Sequence, residues 1–356
     1  MLACAARVPR ASPLGRGISV RYASGWRLEP ELRSESGGVI YKLDESSVDE
    51  YGVHPPVYVS SADGKKYHVQ VIAHKEDFEN YLSLQTRVAL SPYVRIATDT
   101  IPEHQAFVYP SPGPLNLGRA KPRLFYSARR RVLRDALRGL ADLHDRGIVH
   151  DNLVPRAILY EDTETPNKKG KVEMSLGSVA LAPDEKWVTG PGPNFNEPHR
   201  SPEAWCGARR NQASDVFAFG TLIIYAMAVN AARKLPFDVD PSGKLLFEDR
   251  WRRTILRQIA MCADKKAFEG FRAHIGSKSP FQKQLSRMKE AFREEYQRAP
   301  ITAGDRLALQ PDAADLVAQM MNLDPARRIT ARKALQHEYF SPKRWNSNWI
   351  GAPTPQ

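Results

Sequence analysis

The sequence predicts a two-lobed α+β fold, with a small β-rich N-lobe carrying one helix and a large α-helical C-lobe. Three observations predict it. β-type runs with a tight-turn signal fill the stretch before residue 110, a Pro/Gly-rich segment interrupts the chain at 110–114, and helical periodicity dominates beyond. At 356 residues the chain is long enough for two separate cores.

The strands come first. Val57–Val59 and Tyr67–Ile72 are rich in β-formers and flank Ala62-Asp63-Gly64-Lys65, a hairpin turn signal. Glu76–Val88 then places Phe78, Tyr81, Leu82 and Leu84 at helical spacing, closed by Ser91-Pro92. Val94–Ile96 and Gln105–Tyr109 read as two more strands. After Pro110-Ser111-Pro112-Gly113-Pro114, the connector between lobes, Ser127–Arg146 carries Val132, Leu133, Ala136, Leu137, Leu140 and Leu143 as one apolar stripe. Ser214–Val229 is apolar enough to be a helix buried all round. Leu245–Tyr296 reads as amphipathic, basic helical segments, and Asp312–Met321 and Ala331–Tyr339 as the closing helices. The expected lobes are residues 38–110 and 111–345, with a tail at 346–356.

Composition excludes several classes. Hydrophobic residues make up 42% and charged residues 26%, ordinary for a globular chain. No apolar run reaches the roughly 20 residues that span a bilayer, so the chain does not read as transmembrane. Cys4, Cys206 and Cys262 have neither metal-ligand spacing nor a disulfide pattern, and the nine histidines show no metal-ligand spacing. The net charge of +12 is partly local, because Arg7, Arg10, Arg16, Arg21 and Arg27 precede the first acid, Glu29. Setting those five aside leaves 47 basic against 40 acidic residues, or +7, which solubility alone accounts for. The acid-free, Arg-, Ser- and Ala-containing stretch 1–27 has the composition of a mitochondrial transit peptide, so a mitochondrial location, in the matrix, is expected.

Four motifs lie in order along the C-terminal two thirds. Leu143–Leu159 contains His150-Asp151-Asn152-Leu153-Val154-Pro155-Arg156-Ala157; His199-Arg200-Ser201-Pro202-Glu203 and Ser214-Asp215-Val216-Phe217-Ala218-Phe219-Gly220 follow. Asp324-Pro325-Ala326-Arg327-Arg328-Ile329-Thr330 leads into Ala334–Phe340. This series resembles the protein kinase superfamily, specifically the eukaryotic Ser/Thr type: the catalytic loop, the Ala-Pro-Glu segment, the start of the central helix, and the final motif and helix. The resemblance covers about residues 38–345 and is weaker in the N-lobe.

Phosphoryl transfer is mainly positioning and charge neutralisation, so it depends on a glycine-rich loop, a phosphate-holding lysine, Mg²⁺ ligands and an aspartate base. Carried onto this sequence, the resemblance puts replacements at nearly all of them. Of the three loop glycines only Gly52 remains, and Pro55-Pro56 stiffens the segment leading to Val57. Gln70 stands for the phosphate lysine, His68 for the small residue roofing the adenine, and Leu82 for the lysine's glutamate partner. Asn152 stands for the base, Val154 for the lysine after it, Ala157 for the metal-binding asparagine and Ser175 for the metal-binding aspartate. An amide cannot accept the hydroxyl proton, and a serine hydroxyl is a poor substitute for a carboxylate on Mg²⁺. Asp151 is the one candidate for rescue, one residue early, where the family has arginine. Nucleotide contacts remaining by resemblance are Gly52, Val57, His68 and Leu159. His150, Glu203, Asp215 and Arg328 match positions with structural roles, among them a buried pair of Glu203 with Arg328 and a catalytic-loop cap at Asp215.

The resemblance therefore implies a pseudokinase acting as a binding or scaffold module, with a protein partner and no metal or cofactor expected. An active, divergent Ser/Thr kinase using ATP and Mg²⁺ is the first alternative. The second is an RNA-associated protein on the same fold. It draws on Arg119–Arg138, where eight basic residues accompany a single acid, Asp135; that run reads either as an RNA- or lipid-binding surface or as a solvated helix face. Thr189 is a conceivable phosphosite, but with Asp151 in the arginine position no phosphate clamp accompanies it.

Overall fold

The computed structural model describes residues 31–35, 38–48, 57–72, 74–111, 115–119, 126–161, 170–176, 180–181, 198–227, 237–240, 244–291 and 309–341. The N-lobe is a six-stranded antiparallel sheet built from β1 (Glu31–Arg33), β2 (Ile40–Val48), β3 (Val57–Ala62), β4 (Lys65–Val71), β5 (Asp99–Ile101) and β6 (Ala106–Ser111), in the order β1-β2-β3-β4-β6-β5. β3 and β4 pair from Val57↔Gln70 to Ala62↔Lys65, closed by Asp63 and Gly64 at φ of 49° and 70°. Left-handed backbone at both central residues is what a two-residue hairpin requires, and Asp-Gly supplies it.

Side-chain alternation then sorts the two faces of the sheet. Val69 and Val71 of β4 bury with Leu32, Tyr41, Ala62, Ile101, Ala106 and Val108 on one face. His68, Gln70 and Ile72 belong to the other, toward α1 (Lys75–Val88), where Ile72 packs with Phe78 and Phe107 and the two phenylalanine rings stack at 4.7 Å. Two readings of the N-lobe are corrected. Val94 forms only an isolated bridge to Met174, and the edge strand is β5, five residues later. The sheet also begins at Glu31, upstream of Gly38, because Leu32 pairs with Tyr41 and is fully buried.

The C-lobe holds β7 (Leu115–Asn116), α2 (Tyr126–His144), β8 (Ile148–Val149), β9 (Ile158–Tyr160), β10 (Val172–Met174), β11 (Ala180–Leu181), α3 (Pro202–Trp205), α4 (Gln212–Met227), α5 (Phe247–Cys262), α6 (Lys265–Ile275), α7 (Gln282–Ala291), α8 (Pro311–Met320) and α9 (Ala331–Ala334). α4 is buried on all sides, since Val216, Phe217, Phe219, Leu222, Ile223 and Ile224 lie at or below 1% exposure; α2 and α8 pack on it. A second apolar cluster joins α5, α6 and α7 to Trp205, with Trp251 stacked on Phe281. Among the described residues no helix is long and apolar enough to cross a membrane.

The segment after α1 ties the lobes together. Tyr93 and Arg95 pair with Met174 at the end of β10: the Met174 N–H donates to the Tyr93 carbonyl, and the Arg95 N–H donates to that of Met174, both at 2.8 Å. Ser91 donates to Asp142 at 2.6 Å, and Arg138 of α2 lies over the Tyr93 ring. Close approach is possible because position 139 has no side chain; a Cβ there would stand 2.5 Å from the Tyr93 carbonyl oxygen. Gly139→Ala therefore has to push this segment off α2. The expected cost is about 1–3 kcal/mol, read from denaturant unfolding; wild-type stability in that variant would show that the junction yields freely.

Candidate functional site

α2 ends at His144, and Gly147, at φ 70°, turns the chain into β8 and the loop His150–Ala157. Asp215 holds that loop. It lies in the first turn of α4, 2% exposed, where a carboxylate is favoured by the helix dipole. Its oxygens accept from the backbone N–H of His150 at 2.7 Å and of Asp151 at 2.8 Å, and His144 Nε2 lies 3.0 Å away. The His150 ring is fully buried, with Nε2 2.8 Å from the Ser175 carbonyl and Nδ1 3.4 Å from the Asn152 N–H. A carbonyl only accepts, so Nε2 carries the proton and Nδ1 accepts. Burial lowers the His150 pKa against the pull of Asp215, consistent with a neutral ring.

Asp151 is locked rather than poised. Its φ is 57°, and its side chain turns to Arg210, whose Nε donates to Oδ1 at 2.7 Å and Nη2 to Oδ2 at 3.1 Å. The two side chains are 3% and 8% exposed. Burial raises the Asp151 pKa, and the Arg210 hydrogen bond and charge offset that only in part. A carboxylate engaged fork to fork is a charge partner. Arg210 was not singled out from the sequence; the signal was the inverted sign at position 151, which calls for a cation in place of the family's anion.

The other predicted positions divide into two groups. Asn152, Ala157 and Ser175 come together around His150: the Ser175 N–H donates to the Ala157 carbonyl at 2.9 Å. Together they offer an amide, a methyl group and a hydroxyl, and Mg²⁺ prefers carboxylate oxygens, so this donor set does not fit the ion. Gln70 lies across the lobe junction on β4, cross-strand from Phe107 and Val57, and His68 is cross-strand from Tyr109. Leu159, 8% exposed, sits on β9 opposite Glu173. Gly52 and Thr189 lie outside the described residues, as does the stretch 1–27. Leu82 is corrected as the inward-facing position of α1. It is 37% exposed, whereas Gln85 is 6% exposed, accepting from the Ala97 N–H at 2.6 Å and donating to the Tyr109 hydroxyl at 3.5 Å.

Beneath the loop, Glu203 and Arg328 meet with both side chains at 0% exposure. Arg328 donates Nη1 to Oε1 at 2.6 Å and Nη2 to Oε2 at 2.8 Å, and Ser214 donates to Oε1 at 2.7 Å. The remaining guanidinium donors reach the carbonyls of Ala213, Asn322 and Leu323, and Phe217 lies under the guanidinium plane. Burial alone would raise the Glu203 pKa; the Arg328 charge and the hydrogen bonds overcome it and pull the group down to about 2. A cavity of about 30 Å³ between Asn152, Ser201 and Arg210 has room for a water or two and no substrate.

Within the basic run, the α2 arginines divide between inward and outward positions. Arg130 is buried, whereas the Arg134 side chain is 19% and the Arg138 side chain 38% exposed. Arg129 donates to the Ala226 carbonyl, and Arg130, 4% exposed, lies over the Tyr339 ring and 3.8 Å from Asp312. Arg134 and Arg138 both contact Asp135. Arg129 and Arg130 join α2 to its neighbours, whereas the Asp135 contacts of Arg134 and Arg138 lie within α2 itself; the side chains of 119–125 lie outside what is described.

The comparisons with known proteins agree with this architecture. The model of the protein kinase domain matches residues 116–340. The probable cyclin-dependent kinase 8 of Dictyostelium discoideum is 29% identical over 222 residues, 57% of this chain and 50% of that protein. The serine/threonine-protein kinase pkn2 of Myxococcus xanthus is 27% identical over 129 residues, 36% of this chain and 14% of its own length. The DNA damage-responsive serine/threonine-protein kinase RqkA of Deinococcus radiodurans is 31% identical over 114 residues, 32% and 16%. The chain spans half or less of the length of each of these relatives. With a family match over more than half of its residues on a two-lobed α+β frame, this chain belongs to the protein kinase superfamily.

Proposed function

We propose that this kinase domain is a pseudokinase, a binding module that works through a protein partner and transfers no phosphate. One observation carries the reading: Asp151, beside the Asn152 that the resemblance puts in place of the base, is engaged by Arg210. An amide does not take a proton from a hydroxyl, and a carboxylate bound on both oxygens inside the C-lobe is not aimed at one. Ala157 and Ser175 support the same reading, since neither replaces the charge that would neutralise a transferring phosphoryl group. The acid-free leader places the module in mitochondria in this reading, in the matrix; residues 1–27 should then carry a reporter there, and a reporter left in the cytosol would end that part of the proposal.

The test of the chemistry is a melting titration with ATP, with and without Mg²⁺, alongside a phosphate-transfer assay. A site saturated with Mg·ATP at 100 times its dissociation constant gains about 2.7 kcal/mol, which for a domain of this size is several degrees. The expected result is no Mg²⁺-dependent shift and no transfer. A shift that needs Mg²⁺, together with transfer that Asp151→Asn abolishes, would instead establish a divergent active kinase, the function its relatives' names carry.

A further inference from the structure

Arg95 occupies the junction between the lobes. Its backbone is fixed to Met174, one residue before Ser175, and from there the side chain runs back to the sheet. The guanidinium carbon lies 5.0 Å from the centroid of the Tyr109 ring, and Nη2 donates to the Pro110 carbonyl at 3.3 Å. β6 pairs with β5 only as far as Asp99↔Val108, so beyond Val108 its edge on that side has no strand partner among the described residues. The Pro110 carbonyl is thus an edge acceptor beside an aromatic face. Burial lowers the Arg95 pKa, with Tyr109 and Glu173 opposing it; Tyr109 is cross-strand from His68, and Glu173 is cross-strand from Leu159. The arginine therefore bridges β6 and β10, the strands that pair with those carrying the N-lobe and C-lobe contacts expected for a nucleotide.

A guanidinium is flat, stacks on aromatic rings and presents N–H donors in its plane. An aminoheterocycle such as a nucleobase offers the same two features, a flat face and an in-plane N–H donor. Only one of them can stack here and use this carbonyl at a time, and the internal one is always present at high effective concentration.

We propose that Arg95 is an internal ligand of the interlobe cleft, stacked on Tyr109 and bonded to the Pro110 carbonyl in the place where an aminoheterocycle would bind. It excludes nucleosides from the cleft whether or not a metal is present. This rests on the reading of the chain as a pseudokinase and adds a cause of nucleotide exclusion independent of the lost Mg²⁺ ligands.

The experiment is calorimetric titration of the full chain with adenosine in metal-free buffer, for wild type, Arg95→Ala and Arg95→Met. Methionine keeps an apolar stem on Tyr109 and removes every N–H, so it covers the case in which alanine leaves too large a void to fold. Adenosine is expected to bind both variants at least about tenfold more tightly than wild type, the scale of one hydrogen bond to a charged group. Equal affinity in all three chains, or no binding in any, overturns the proposal. Adenosine has no phosphate to transfer, so that failure concerns Arg95 alone; phosphate transfer by the wild-type chain overturns the pseudokinase reading itself.

Discussion

Glu203→Ala is expected to cost about 3–5 kcal/mol and to unfold or loosen the C-lobe, because it leaves the Arg328 charge buried with its main partner gone. The pair is fully enclosed and fork-on-fork, so neither water nor a surface acid can replace the lost carboxylate. Arg328→Ala is expected to cost a similar amount by the reverse route, stranding Glu203 among Ser214 and apolar neighbours. Replacing both with apolar residues of matching volume should recover much of the loss, since the desolvation of both ions then disappears. Denaturant midpoints of the two single variants and the double variant measure this, and additive single losses would show that the two groups are not coupled. The same pair has a pH signature. Glu203 is held at about 2 in the folded protein against an ordinary value of 4.5. A depressed carboxyl stabilises the fold above its unfolded value and loses that contribution as pH falls through its folded one. Stability should therefore decline between about pH 4.5 and 2, and the decline should be smaller in the apolar double variant.

The second large effect is expected at the loop. Asp151→Asn keeps the size of the side chain but removes the charge that Arg210 needs, inside a site where both side chains are nearly enclosed. The loss should also be about 3–5 kcal/mol, although Asp215 still holds the loop through two backbone N–H groups. Exchanging the pair, Asp151→Arg with Arg210→Asp, is expected to do worse than a simple swap suggests, because position 151 has a φ of 57°, which aspartate tolerates better than a long side chain does. A melt of Asp151→Asn within a few tenths of a kcal/mol of wild type would mean that the ion pair is dispensable. Asp151 would then be free to act in another way, which is the outcome most damaging to the pseudokinase reading.

Much of the frame was legible because periodic burial leaves a mark on the chain. The apolar stripe of α2, the uniformly apolar α4 and the Asp-Gly hairpin each declare their environment through local residue choice, and the motif spacing supplies their order. The edge of the sheet was misread for a related reason. Val94–Ile96 has β-type residues, but Val94 bridges the C-lobe and Ile96 packs against the C-lobe core, a preference that local β-propensity cannot distinguish from a strand. α1 was misread in phase: Leu82 is apolar and Gln85 polar, yet Gln85 turns inward because the Ala97 N–H and the Tyr109 hydroxyl wait for it there.

By itself the sequence determined the two-lobed α+β fold class and the main helices α1, α2, α4 and α8, since these follow from residue type and spacing along one chain. Which groups neutralise one another was decided only by the tertiary structure. Arg210 lies 59 residues from Asp151, and Arg328 lies 125 from Glu203. The arginines of α2 are as basic on paper as any nucleic-acid surface. Packing turns Arg129 onto the Ala226 carbonyl and Arg130 onto the Tyr339 ring, because a charge removed from water must find its partner wherever the fold brings one.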